Sequence, residues 1–474
     1  MLKKFMSISA AFATSFGMLL TAPAFVQSAS HDVELTISSI ENIQTKAGVI
    51  AAKIDPNYPI LVQMVLAQPA AFGIDIAKPM GLIADMPEDG FAYTIFLPVK
   101  NQSLFETQLG KLQEDGKIPE DVKVEFKNDF AVCCMNTEWT GDVPAFDGTK
   151  VLSLDAKPSA LAPLLALAAM NPNVQQEQIE QMQKNLAQLE SFTLDLDVSE
   201  AGDLDFTFTQ VPKEGTDIAG NFANSEKLTK SLLGSLCDED APFTIQVLGT
   251  FDENNRRDMV NALTSEETVP EKLREAILMA MDVEKVDFVL NADANGLIAA
   301  MGISNGDKIN KMIVDAIEEL EEDGEVSGTA NVGKIGKSIT IHELQHENGQ
   351  NVAVGVHKKY IFLAASKSGK ASTLLKKTLK ANPLKVGTVE KNGKVSFDMD
   401  LITSLNPAFE ELGLDGKITY IVDVNDGKLV GTFHAESAIF ESLGKLIKSI
   451  QPSVSVETIG EENGDEDLFE DDEE

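Results

Sequence analysis

One design is written twice in this chain, and a duplicated design limits the possible folds more than any single motif. Lys394-Val395 opens a strand-like run that continues through Leu405 to Pro407, and Lys150-Val151 opens one that continues through Leu161 to Pro163 without a gap. Downstream, Val422-Asp-Val-Asn-Asp-Gly-Lys-Leu429 echoes Leu196-Asp-Val-Ser-Glu-Ala-Gly-Asp-Leu204. Each copy then alternates into a short helix, expected at Ser442 to Ile450 in the later copy and Ser225 to Leu233 in the earlier. A chain of 474 residues has room for two such units, each with its own core.

Local patterns fill in the units. In the first, Val33, Leu35 and Ile37 alternate as a strand, and Ser38 with Glu41 has the spacing of a capping box that starts a helix toward Ala52. After a Pro-bearing stretch, Gly81 to Ala84 and Phe91 to Val99 read as strands. Asn101 or Ser103 then caps a helix with Leu104, Phe105, Leu109 and Leu112 at helical spacing, stopped by Asp115-Gly116. Val122 to Phe126 and Phe130 to Met135 predict a hairpin. The insertion Asn171 to Glu190 predicts an amphipathic helix with Val174, Ile179, Met182, Leu186 and Leu189 on one face.

The second unit repeats the order. Phe243, Ile245 and Val247 alternate, a helix is expected around Arg257 to Leu263, and strands Val286 to Leu290 and Leu297 to Met301 flank a turn at Asn295-Gly296. Asp307 caps a helix over Ile309 to Leu320 that stops at Asp323-Gly324, and a hairpin joins Ser338 to Leu344 with Asn351 to Phe362 through Asn348-Gly349. A Lys-rich helix, Ser372 to Lys380, has no counterpart in the first unit. Most strand pairs are joined by short turns rather than crossovers, so the expected class is α+β: two tandem repeats, each an antiparallel sheet with helices packed on one face.

The ends and the charge bound the setting. Lys3 and Lys4 precede an apolar stretch, Met6 to Leu20, with small residues at Ala22, Ala24, Ser28 and Ala29. Residues 1–29 therefore read as a signal peptide, and the localisation expected is periplasmic or secreted. The repeats then occupy 30–240 and 241–452, followed by a disordered acidic tail over 453–474. Net charge is −36, of which ten carboxylates lie in Glu461 to Glu474, leaving −26 on the rest. Such a surface repels phosphate backbones and disfavours nucleic acid as a partner, while the tail offers loose association with divalent cations. No later run approaches the ~20 apolar residues of a membrane span. Cys133, Cys134 and Cys237 leave two readings open: one of the adjacent pair bridged to Cys237, or unpaired buried thiols.

Three motifs touch on chemistry. His342-Glu343-Leu-Gln-His346 has the spacing of a zinc protease, which on a helix brings two imidazoles to one metal with the Glu over its water. The preceding Gly333 to Ile341 alternates like a strand, where residues four apart sit ~13 Å apart, so a hairpin with two surface histidines is the expectation. Gly302-Ile-Ser304-Asn-Gly306 matches a nucleophile elbow, but the neighbouring hairpins supply no parallel sheet, and turn chemistry is expected. Asn291 to Gly302 has calcium-loop spacing but ends on Gly302 where a bidentate Glu is needed.

Met80-Gly-Leu-Ile-Ala-Asp85 followed by Phe96-Leu-Pro98-Val99-Lys100-Asn101, with Leu104 and Leu109 beyond, resembles a pattern in uncharacterised exported α+β repeat proteins of planctomycete-like bacteria. The resemblance implies export and tandem α+β units, and carries no catalytic residue. The leading expectation is an exported, non-enzymatic binding or structural protein without a cofactor, whose partner is a protein or an apolar ligand. The alternatives are an apolar-ligand (lipid) carrier and a zinc-dependent hydrolase centred on His342, Glu343 and His346.

Overall fold

The computed structural model describes residues 31–86, 92–119, 122–161, 176–250, 271–280, 282–322, 326–336, 338–346, 351–367 and 369–450. The signal, the helix expected around Arg257, the start of the Asn171 insertion, the turns at Asp323 and Asn348, and the acidic tail fall outside them.

Hydrophobic alternation and tight turns give strands that pair mostly with chain neighbours. The first half holds β1 (Val33–Ile37), β2 (Met80–Asp85), β3 (Ala92–Pro98), β4 (Lys123–Lys127), β5 (Phe130–Met135), β6 (Leu152–Ala156), β7 (Leu189–Val198) and β8 (Leu204–Pro212). A two-residue strand, β9 (Lys230–Ser231), pairs only with β17 (Gly387–Thr388). The second half holds β10 (Phe243–Thr250), β11 (Lys285–Asp293), β12 (Gly296–Gly302), β13 (Val326–Ile335), β14 (Ile339–His346), β15 (Asn351–His357), β16 (Tyr360–Ser366), β18 (Gly393–Asp398), β19 (Lys417–Asn425) and β20 (Lys428–Ala435). The pairings β1–β6, β3–β5, β10–β18, β12–β16 and β8–β20 join strands more distant along the chain. Tight turns depend on left-handed residues such as Asn128 and Asp129 (φ 47° and 64°) between β4 and β5, a conformation Asn and Asp tolerate better than most side chains.

The helices are α1 (Ile40–Ile54), α2 (Tyr58–Leu66), α3 (Gln102–Glu114), α4 (Gln176–Ala187), α5 (Asp217–Glu226), α6 (Glu271–Ala280), α7 (Gly306–Glu322), α8 (Ala371–Ala381), α9 (Asp400–Leu405) and α10 (Ser437–Ile450). Caps fix their starts. Ser39, not Ser38, caps α1 by accepting from the Asn42 N–H, and Asn101 caps α3 by accepting from the Leu104 N–H, both at 3.1 Å. The helix expected at Ser225 to Leu233 instead runs over α5. Thr216 caps it, and the chain after Glu226 leaves the helix to bury Leu233 completely in the core of the second half.

The registers place eighteen strands in one antiparallel sheet, in the order β4-β5-β3-β2-β1-β6-β7-β8-β20-β19-β18-β10-β11-β12-β16-β15-β14-β13. Two separate sheets were expected; β8 and β20 pair edge to edge and make them one. At this seam Thr207 stands opposite Thr432, and the Phe208 ring lies over Gly431, where any Cβ would sit 2.2 Å from the ring.

Reading straight across the ladders shows what the two faces bury. One row runs Val124, Cys133, Ile95, Leu82, Leu35, Leu154, Leu194, Phe208, Gly431, Val422, Gly393, Val247, Phe288, Met301, Ile361 and Val356, without a charged residue. This apolar face carries α3, α4, α5, α7 and the start of α10. The neighbouring row on the other face is apolar at Phe96 and again at Val289, Ala300 and Phe362, but passes through Thr36, Ser153, Asp195, Thr207 and Thr432 between them. Trp139, Val143 and Phe146 cover its first end, and α8 with Leu233 and Leu236 covers its second. Helices therefore lie on both faces in the second half, a correction to the one-sided packing expected. Burial sets the pattern: β15 and β16 are apolar on both sides (Ala353 and Phe362 on one, Val354 and Leu363 on the other) and need a cover on each.

Candidate functional site

The apolar face is filled differently at its two ends. In the second half α7 lies directly on the sheet: Ile309, Ile313 and Ile317 are all buried against Val354, Val356, Leu344, Ile361 and Leu363. In the first half α3 buries only Phe105, which meets Phe126 edge-on with centroids 6.0 Å apart. Leu109 packs on the same cluster but stays half-buried, and a cavity of about 560 Å3 opens beneath the helix.

The walls of the cavity come from four places. β3 supplies Tyr93, Ile95 and Leu97, and β5 supplies Cys133. Leu109 and Leu112 come from α3, and Ile118, Pro119 and Val122 from the turn before β4. The rim is Val65 of α2 and Gln68, Pro69 and Phe72 of the 3₁₀ turn that follows it. The lining leaves its mark on β3, whose side chains on the Trp139 side are buried while Tyr93, Ile95 and Leu97, on the face meant for the core, stay half-buried. Among the described residues the lining brings one formal charge, Lys117, whose Nζ is paired with Asp115 at 2.9 Å on the exposed rim. Burial pushes the Cys133 thiol up to about 11, so it sits in the wall as a neutral, weakly polar group. A concave, apolar site with few polar groups is the chemistry of a hydrophobic ligand pocket, and its size is within the usual range.

α2 is the unusual wall. No charged residue lies between Asp55 and Asp75, and α2 itself reads Tyr-Pro-Ile-Leu-Val-Gln-Met-Val-Leu. It has no buried residue: Ile60, Leu61, Met64 and Val65 are 56–65% exposed. Reading the sequence for periodicity misses this helix, because it has no polar face to set an amphipathic pattern. The signal that marks it is the missing charge in a chain where 24% of residues are charged.

The motif residues are placed elsewhere. His342 and Glu343 lie next to each other on β14 and so point to opposite faces. His342 is fully buried, contrary to the surface position expected. Its Nδ1 accepts from the Asn331 N–H at 3.3 Å, its Nε2 lies 2.9 Å from the Asn310 Oδ1 of α7, and burial lowers its pKa. The Glu343 carboxylate instead accepts from the Ser372 N–H and hydroxyl at the start of α8. His346 is the last residue of β14. Among the described residues no group of three or more His, Cys, Asp or Glu is arranged to hold a metal. Ser304 donates to the Asp282 carbonyl in the turn before α7, and the β11–β12 turn expected at Asn295-Gly296 is made by Ala294-Asn295, with Gly296 already paired to Asp293. The three thiols are free; Cys133 and Cys134 face opposite sides of β5, and Cys237 packs on the core of the other half.

On the polar side of the sheet, Glu34 of β1 stands directly across from Asp155 of β6. Burial, reinforced by the Glu34 charge, raises the Asp155 carboxyl to about 6, and its Oδ1 is buried without a hydrogen-bond partner. Among the described residues no helix is long and apolar enough to cross a membrane. No family model, curated protein or solved structure matches the chain.

Proposed function

We propose that this is an exported binding protein for an apolar ligand, held between β3, β5, α3 and the turn after α2. The cavity of about 560 Å3 carries this reading, because its lining is mostly apolar and its β3 side chains stay half-buried where a core would have closed over them. A ligand with a dozen buried methylenes would contribute roughly 10 kcal/mol gross at about 0.8 kcal/mol each. Association and immobilisation take back several of these, which leaves micromolar binding within reach. Titration with a fluorescent long-chain fatty acid tests the reading: saturable binding that is lost in Leu109→Trp supports it, and equal signal in both proteins would refute it.

The same proposal extends to how the chain is built. The first half orders its strands 4-5-3-2-1-6-7-8, and the second, inside its extra β13–β14 hairpin, 15-16-12-11-10-18-19-20. That correspondence, with Thr207 facing Thr432 where the halves meet, supports two copies of one unit related by a local twofold. The cavity is then what one copy keeps and the other has filled.

A further inference from the structure

We infer that α2 is a docking element for a bilayer with neutral headgroups, from which the cavity takes up its ligand. The choice of occupant rests on the cavity reading above.

α2 is exposed on more than one side. Val62 and Leu66 are half-buried, Val65 borders the mouth of the cavity, and the exposed Ile60–Met64 pair, one turn apart, lies outside the lining. Water is a poor neighbour for such a surface, so something apolar covers it in use. A second copy is disfavoured on two counts. The exposed side chains make a patch of a few hundred Å2, short of the ~800 Å2 per partner that a stable interface buries. Each copy also carries a formal charge of −36, so self-association works against strong repulsion. A bilayer meets both conditions, since a few inserted side chains suffice and neutral headgroups do not repel.

Position adds a third argument. The same stretch of chain supplies the apolar helix and the rim residues Gln68, Pro69 and Phe72, so an inserted α2 opens the cavity toward the acyl layer. An apolar ligand is dissolved there and nearly absent from water. Tyr58 at the helix start suits the headgroup level, where an aromatic ring with a polar tip is favoured. The charge argument also sets the lipid preference. An anionic surface repels the body of the protein, so binding should weaken with anionic lipid at low salt and recover as salt screens the field.

Flotation of the full chain with phosphatidylcholine vesicles tests this, beside the double variant Ile60→Gln/Met64→Gln. Both positions are about 60% exposed and neither lines the cavity, so folding and ligand capture in solution should be unchanged. The expected result is co-flotation of the wild type, at least tenfold less for the variant, and equal binding of a fluorescent fatty acid by both without vesicles. A wild type that stays at the bottom while binding the fatty acid overturns the docking and leaves the cavity reading intact. A variant that floats as well as the wild type overturns the assignment to α2. So does a wild-type dimer in light scattering that the variant abolishes, because a second copy would then be the occupant. Flotation without fatty-acid binding supports the docking and sinks the cavity reading alone.

Discussion

The two ends of the sheet solve one packing problem in different ways. α7 presses Ile309, Ile313 and Ile317 onto β15 and β16 and leaves those side chains at most 5% exposed, whereas α3 fully buries only Phe105 and leaves a cavity. β-branched isoleucines at successive turns reach a flat apolar sheet evenly. On α3 the corresponding face is Phe105, Leu109 and Leu112, with one large ring at the first turn acting as a prop. α2 and its 3₁₀ turn then occupy the flank of the space below. The difference teaches that the cavity arises from how one helix is propped, with the strand pattern beneath it nearly unchanged.

The largest expected effect tests the closed end. Ile313→Ala removes three carbons from a filled core and should cost about 3 kcal/mol in chemical denaturation. Leu109→Ala at the open end borders existing space and should cost less than half as much. Equal losses would show that the two ends are packed alike.

Enlarging side chains should reverse that ranking. Val354→Phe overfills the closed end and should destabilise by about 1–3 kcal/mol. Leu109→Trp grows into the cavity, so its stability should change by less than ~1 kcal/mol while affinity for the fatty acid falls at least tenfold. A Leu109→Trp protein that is badly destabilised would mean there is no space to fill.

Much of the fold was legible in the sequence, and the reason is local. Asn101 at its cap, Asn128-Asp129 and Asn295 at their turns, and the alternation of Phe243, Ile245 and Val247 each act within a few residues. The joining of the halves was not legible, because the β8–β20 pairing links residues more than two hundred positions apart with no local signature. His342 was misread for a related reason: a polar residue in an alternating strand reads as solvent-facing until Asn310 and the Asn331 N–H are brought to it. The candidate site was legible only in pieces. Phe105, Leu109, Leu112 and the β3 strand were visible, but α2 lacks the polar face on which helix recognition from sequence depends.

A smaller effect lies between the two ends, on the polar face. Folding raises the Asp155 carboxyl to about 6, above its ordinary unfolded value near ~3.9. The folded state thus holds its proton more tightly, a contribution to stability present below pH ~3.9 and lost as pH rises through about 6. Asp155→Asn should therefore be more stable than the wild type at pH 8, by about 1 kcal/mol after allowance for partial exposure, with the gap closing near pH 4. Thermal melts at the two pH values check it; a constant gap would contradict the charge origin.

The smallest signal is chemical. With its thiol raised to about 11, Cys133 should react slowly with iodoacetamide at pH 8, and slower still once fatty acid fills the cavity. Rates for Cys133, resolved by peptide mass analysis, should show this protection while those for Cys237 in the other half do not change.

The most direct measurement is native mass spectrometry of the full chain after exposure to lipid extract, comparing wild type with Leu109→Trp. A cavity that holds an apolar ligand predicts a wild-type adduct of one lipid, extractable by organic solvent, that is missing from the variant. Bare mass in the wild type, or an adduct carried equally by both proteins, would contradict it.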